Sequence, residues 1–326
     1  MGTEAIRGRA GFLPSSAIVW PPNVDAMALA DVFSAAGCDG FLHACDVDRP
    51  EREVSLAADT VVVAASVFKV AVALEFFRQA AAGELDPRER VRVDPQDSLS
   101  APAGLSLFAD EVEVSLRDLA VSMITVSDAL ATDVLIERVG IDRVNELTRS
   151  LGLENTEVVG DVKSMFDSLA RDLGFGSGRE FLSHTWDDPT EVARVLEQMP
   201  RAAACDPART TRTTAREMTQ LLRAIWRDEA APAEACAAVR SLMAKQLQRE
   251  RIARPFTDPD VRFSGKTGSF GGAFRNEVGV VEYPDGGRYA LAIFTKAHAL
   301  YTRQREIDDA IGFAAAMAVE ALRRER

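Results

Sequence analysis

Hydrophobic positions recur at two spacings along this chain of 326 residues, and the places where the spacing changes outline its elements. Apolar residues at helical spacing from Val24 to Ala36, closed by Gly37 and Gly40, predict a first helix. Gly40 to Cys45 and Val54 to Ala57 alternate or run apolar around the charged turn Asp46-Val47-Asp48-Arg49-Pro50, which reads as a β-hairpin. The strand-like run Thr60 to Ala64 leads into an apolar helix that begins at Ser66 and should continue to about Ala82, before Gly83.

From Ser115 to Leu151 the pattern is helical throughout. Ser115 with Asp118 caps one helix, Asp128 to Val139 makes a second and Ile141 to Leu151 a third, with Gly140 and Gly152 as punctuation. Leu99 to Asp110 reads as a loop. Thr156 to Arg201 is less patterned, apart from the glycine cluster Gly174 to Gly178 and a helix from Pro189 to Gln198, where Pro189 suits the first turn. The capping box Thr214-Ala215-Arg216-Glu217 opens an amphipathic helix through Trp226, and Pro232 to Gln248 predicts another. Strand composition returns at Arg262 to Ser269, Phe274 to Tyr283 and Arg288 to Lys296, the last two joined by Pro284-Asp285-Gly286-Gly287. A helix from Arg303 to Arg326 closes the chain, with Arg323, Arg324 and Arg326 at its negative pole.

This order predicts an α+β fold: an antiparallel sheet flanked by N- and C-terminal helices, with an all-helical domain inserted. The expected division is residues 1–62 and 256–326 for the sheet domain and 63–255 for the helical one, with a site in the crevice between them.

Composition narrows the function classes. A hydrophobic content of 47% supports a sizeable core, and a net charge of −12 repels nucleic acid and anionic membranes. No run is long and apolar enough to span a bilayer, and Met1 to Arg9 lacks the apolar centre of a secretory signal. A cytoplasmic monomer is expected as the sequence is written, or an exported one if a signal was removed. Arg7 stands where acylation of Gly2 would want Ser or Thr. Cys38, Cys45, Cys205 and Cys236 form no C-x-x-C pair and no metal spacing with His43, His184 or His298. They read as half-buried free thiols, with a Cys38–Cys45 bridge only in an exported chain. No metal or cofactor is implied.

The chemistry lies in three stretches. Ser66-Val67-Phe68-Lys69 puts a hydroxyl and an amine one helical turn apart, so that the Lys69 amine can lie beside Ser66 Oγ and share its proton. A serine at a helix start also meets unpaired N–H groups that favour a developing oxyanion. Alone, the spacing equally fits a Ser cap followed by an exposed lysine. Val126-Ser127-Asp128-Ala129 lies just before a helix, and Ser264-Gly265-Lys266-Thr267-Gly268-Ser269 lies on a strand that should border the same crevice. Singly, Ser127 reads as a cap, and Lys266 and Arg275 as solvated strand charges. As an ordered set the three stretches are far more specific.

Further segments join them. Ser127 to Asp133 resembles an S-D-N-x-x-x-N helix start, Thr213 to Met218 a T-T-x-x-x-M helix, and Lys266 to Ser269 followed by Arg275 to Gly279 a substrate-edge strand and its neighbour. From about Phe41 onward the chain resembles the serine β-lactamase and penicillin-recognising superfamily, nearest class A. The resemblance implies a Ser66 nucleophile, Lys69 as its base, Ser127 as a proton relay to the leaving atom, and Lys266 holding Ser127 and attracting a substrate carboxylate. It implies an oxyanion hole from the N–H groups of Ser66 and Ser269, and a carboxylate site at Thr267, Ser269 and Arg275. The substrate is then a small amide or ester bearing a carboxylate, with β-lactam hydrolysis foremost.

The chain departs from class A in three places. It has no E-x-x-L-N motif to activate a deacylating water, Ala129 replaces the Asn of S-D-N, and Asp133 replaces the Asn that ties the loop down. Asp187, Asp188 and Glu191 could supply a carboxylate or could simply decorate a helix start. An esterase, a D-alanyl peptidase type of acyltransferase and a non-turnover β-lactam sensor remain rivals, and a glutaminase fits the Lys-Thr-Gly strand less well.

Overall fold

The computed structural model describes residues 26–99 and 103–324. Met1 to Arg9, Val24, the middle of the 99–110 loop and Arg326 lie outside the described residues. In chain order, α1 (Ala26–Ala36) precedes the hairpin β1 (Cys38–Asp46) and β2 (Glu53–Leu56), and β3 (Val62–Val63) enters a 3-10 turn at Ala65–Phe68 that runs into α2 (Lys69–Ala81). β4 (Arg90–Val93) and β5 (Val112–Ser115) form a small antiparallel ladder on either side of the 99–110 loop, where the sequence reading assigns no strand. Then come α3 (Leu116–Thr125), α4 (Ala129–Val139), α5 (Ile141–Ser150), α6 (Val162–Asp172), α7 (Gly178–Ser183) and α8 (Pro189–Gln198). After β6 (Arg212–Thr213), which pairs with β3, follow α9 (Ala215–Trp226), α10 (Ala233–Met243), β7 (Arg262–Phe270), β8 (Phe274–Glu282), β9 (Arg288–Ala297) and α11 (Gln304–Arg324).

The main sheet is antiparallel in the order β2-β1-β9-β8-β7, so β7 is an edge strand. Both faces are covered, which is why its inner strands read as nearly continuous apolar runs. Val278, Val280, Ala292 and Phe294 face α2, α3, α9 and α10, while Val281, Tyr289, Leu291 and Ile293 pack on α1 and α11 through Leu29, Phe33, Ile307 and Ile311. Helix α2 is apolar on nearly all sides because it runs through the first of these cores. No helix among the described residues is long and apolar enough to cross a membrane.

Local signals placed the helix starts well. Ser115, Asp128 and Asp188 each accept a backbone N–H of the helix they open. Three expectations need correction. The Thr214 capping box is only half formed: Thr214 Oγ1 accepts the Glu217 N–H at 3.1 Å, but the Glu217 carboxylate turns to Asn155 N (2.8 Å) and Thr156 Oγ1 (2.6 Å). Helix α10 stops at Met243 rather than Gln248, because the following residues leave the helix to pair with the end of α3, Leu247 N donating to Thr125 O at 3.2 Å. The four cysteines are free and fully buried, and burial pushes the Cys38 and Cys205 thiols up to about 12, which leaves them unreactive at neutral pH.

Candidate active site

The turn carrying Ser66 is fastened to the sheet from two sides. Asn276 on β8 is fully buried, and its Nδ2 donates to Val63 O (3.0 Å) and Ala64 O (3.3 Å), while its Oδ1 accepts Thr295 N at 3.2 Å. On β7, a Cβ at Gly268 would come within 3.0 Å of Ser66 N and 3.2 Å of Ala64 O, so only glycine lets the strand approach this closely, at the residue before Ser269. Ala65, immediately before the nucleophile candidate, has φ +46°, a left-handed conformation costing about 1–3 kcal/mol in a residue with a Cβ. The surrounding clamps offset that strain.

Lys69 is fully buried at the start of α2. Its amine donates to Ser127 O at 2.7 Å and to Ser127 Oγ at 3.3 Å. Ser127 also sits in the left-handed region, φ +61°, which turns both its oxygens toward the amine. Burial pulls the Lys69 amine down to about 8, against the opposing pull of Asp133 and Asp128. Ser66 Oγ has no hydrogen-bond partner among the described residues. The pairing of Ser66 with Lys69 expected from sequence is thus replaced, in this structure, by a pairing of Lys69 with Ser127.

Asp128 holds this corner together. It is fully buried, and its Oδ2 accepts Leu105 N (2.8 Å) and Ser122 Oγ (2.7 Å) while its Oδ1 caps α4 at Ala131 N (3.1 Å). Ala129 opens α4 and is buried, so no side-chain amide stands there. Asp133 retains a tying role: Oδ1 accepts Val162 N (2.7 Å) and Oδ2 accepts Lys163 N (3.1 Å), fastening the start of α6 to α4. Burial raises its carboxyl to about 7. Helix α6 was missed in the sequence, although Asp161 followed by Val162, Met165, Phe166, Leu169 and Ala170 at helical spacing is the signal that would have found it.

Lys266 on β7 is fully buried, and its amine donates to Thr267 O at 2.8 Å, with no hydrogen bond to Ser127 among the described residues. Burial, reinforced by the Lys69 and Arg251 cations, lowers its pKa well below the usual lysine range, with Glu277 opposing. Thr267, Ser269 and Arg275 do converge, lining an open cavity of about 320 Å³ with Gln248, Glu250, Arg251 and Asp308. Thr267 Oγ1 donates to Gln248 Oε1 at 2.5 Å. Arg275 Nε donates to Asp308 Oδ1 at 2.7 Å, its Nη2 pairs with Asp308 Oδ2, and its Nη1 donates to Gln304 Oε1 at 2.9 Å.

Two functional residues escaped the sequence reading. Arg251, only 5% exposed, reaches Asp308 Oδ1 (2.7 Å), Gly268 O (2.9 Å), Asn276 O (2.6 Å) and Ser269 Oγ (2.6 Å). It therefore ties the cavity wall to both strands and to α11. Gln246 is buried between α3 and β7; with its amide oriented to donate to Ile124 O (3.0 Å) and Thr125 O (2.9 Å), its oxygen accepts Thr267 N at 2.8 Å. Both lie in the irregular segment after α10, where no periodicity marks a residue as important. The alternative acids are occupied or remote in role: Asp188 caps α8, Glu191 Oε2 bonds His184 Nε2 at 2.8 Å, and Asp187 is exposed. No group of three or more His, Cys, Asp or Glu among the described residues could hold a metal ion.

Comparison with known proteins agrees with this architecture. A model of the beta-lactamase enzyme family matches residues 26–322. The beta-lactamase regulatory protein BlaB of Streptomyces cacaoi is 30% identical over 281 residues, covering 82% of this chain and 88% of that one. A beta-lactamase from Sphaerobacter thermophilus superposes with a TM-score of 0.71 at 23% identity, covering 92% of this chain and 99% of that one. A PBP-A mutant in an acyl-enzyme complex with penicillin G superposes with a TM-score of 0.68 at 20% identity, covering 92% and 96%.

Proposed function

The chain belongs to the beta-lactamase enzyme family, and on that footing we propose that Ser66 is acylated by a small carboxylate-bearing amide or ester, a β-lactam being the leading candidate. The observation that carries this reading is the buried Lys69 amine held against Ser127. With its pKa near 8, a useful share of that amine is neutral at physiological pH and able to take the Ser66 proton. Ser66 Oγ adds to the substrate carbonyl, and the proton passes from Lys69 through the Ser127 hydroxyl to the leaving nitrogen or oxygen as the scissile bond breaks. The N–H groups of Ser66 and Ser269, brought near one another by the Gly268 contact, receive the oxyanion. The substrate carboxylate lies at Thr267, Ser269 and Arg275, with Arg251 behind Ser269. No metal or cofactor enters any step.

Release of the acyl group is the slower half. The start of α6, which Asp133 holds, follows Asp161, whose Oδ1 caps the helix through Ser164 N at 2.7 Å, and its first residues are Val162 and Lys163. With Asp161 committed to its cap and no E-x-x-L-N motif in the chain, the acyl-enzyme persists. This favours capture or sensing of a β-lactam over rapid turnover, a reading also supported by a relative named as a regulatory protein.

Intact-mass spectrometry after mixing with a chromogenic cephalosporin separates the two half-reactions. The expected result is one burst of colour and a lasting adduct that Ser66→Ala lacks. Continuing colour with no accumulated adduct would turn the assignment to a working hydrolase. No adduct and no colour would overturn the β-lactam reading and leave ester substrates.

A further inference from the structure

One buried acid beside the cavity has no part in the steps above. Glu277 on β8 lies opposite Thr267 of β7 and is fully buried. Its Oε2 accepts the backbone N–H of Ile252 at 2.5 Å, whereas Oε1 has no hydrogen-bond partner among the described residues. A half-satisfied buried carboxylate is destabilising in its charged form. The ionisable groups that face it are Arg251 from the segment before β7, Lys266 from β7 and Asp308 from α11.

These neighbours make its proton matter. Arg251 and Arg275 share the carboxylate of Asp308 in the cavity wall, which Glu250 also lines. When Glu277 carries a proton, the two guanidinium groups face the carboxylates of Asp308 and the exposed Glu250. When Glu277 is ionised, a third carboxylate joins them and an incoming anion gains less.

We infer that Glu277 is the proton-linked determinant of anion binding at the Arg251–Arg275 wall: a ligand carboxylate enters the cavity together with a proton held on Glu277. The inference rests on the reading above that a carboxylate-bearing compound occupies this cavity. Burial raises the Glu277 carboxyl to about 7, against the opposing pull of Arg251, the Ile252 N–H and Lys266. A bound anion adds a like charge and raises it further, so binding takes up a proton and affinity falls as pH rises through neutrality. If only the protonated form binds, affinity is about tenfold weaker at pH 8 than at pH 6. A purely structural Glu277 would anchor Ile252 in either charge state. Glu277→Gln keeps an oxygen for Ile252 N and cannot lose a proton, so it tells the two roles apart.

The test is calorimetric titration of Ser66→Ala protein, which cannot be acylated at that position, with benzylpenicillin at pH 6, 7 and 8 in two buffers of different ionisation enthalpy. The expected result is about a tenfold loss of affinity from pH 6 to pH 8 with net proton uptake near pH 7. The Ser66→Ala/Glu277→Gln protein should bind at every pH with the affinity of the parent at pH 6, and without that uptake. The same pH dependence in both proteins, or none in the parent, overturns the inference while leaving the carboxylate site in place. No binding at any pH in either protein overturns the occupancy reading and the inference with it. Should the double variant fail to fold, carboxyl-carbon NMR of Ser66→Ala protein decides the matter: Glu277 must titrate near neutrality and shift upward when benzylpenicillin is added.

Discussion

Two sides of the crevice bury cations, and they do so differently. On the helical side Lys69 is fully buried, with Ser127 as its hydrogen-bond partner and no ion pair to a carboxylate among the described residues. On the sheet side Arg251 and Arg275 are held by Asp308, two main-chain carbonyls and the Ser269 hydroxyl. Desolvation weakens the charged form in both places. An amine responds by becoming a base near neutral pH, whereas a guanidinium stays charged and needs compensating partners. The helical side is therefore built to move protons, and the two guanidinium groups of the sheet side to hold a permanent charge for a ligand anion.

Removing the base breaks this comparison most sharply. Lys69→Ala should slow acylation of Ser66 by about 10²–10⁴-fold, the usual weight of general-base catalysis, as read by stopped-flow mixing with a chromogenic cephalosporin. Near-parental acylation would mean that another group takes the proton. Arg251→Ala tests the other side. It strips the buried Asp308 and Glu277 carboxylates of a cation and should cost about 3–5 kcal/mol of stability in denaturant unfolding, with weaker substrate binding. A change confined to binding would show that the arginine is not structural. The smallest effect is a pH profile. Because the folded Lys69 pKa is lowered to about 8, the neutral amine is the minor form at pH 7 and the major form at pH 9. The acylation rate at saturating ligand should therefore rise about tenfold between those values. A rate that is flat, or that falls, over this range would remove Lys69 from the proton path.

The parts of the molecule legible in the sequence are those whose signals are local. Helix α8 follows from Pro189 and its apolar spacing, α4 from Asp128, and the sheet strands from their apolar runs and the Pro284–Gly287 turn. The serine and lysine set was legible because each member lies in a short motif on a predicted element. Arg251 and Gln246 carried no such mark. Arg251 follows α10 in an irregular stretch, and the clamp role of Asn276 depends on Val63 and Ala64, more than 200 positions away in the chain.

By itself, then, the sequence determined the family, the α+β order of elements and the candidate reactive groups, because residue type and short spacing encode these directly. Only the tertiary structure decided that Lys69 bonds Ser127 rather than Ser66, that Asp133 grips the start of α6, and that two arginines share Asp308 beside a buried Glu277. Hydrogen-bond partners and proton affinities depend on burial and on charges brought together from distant segments. Neither can be read from spacing along the chain.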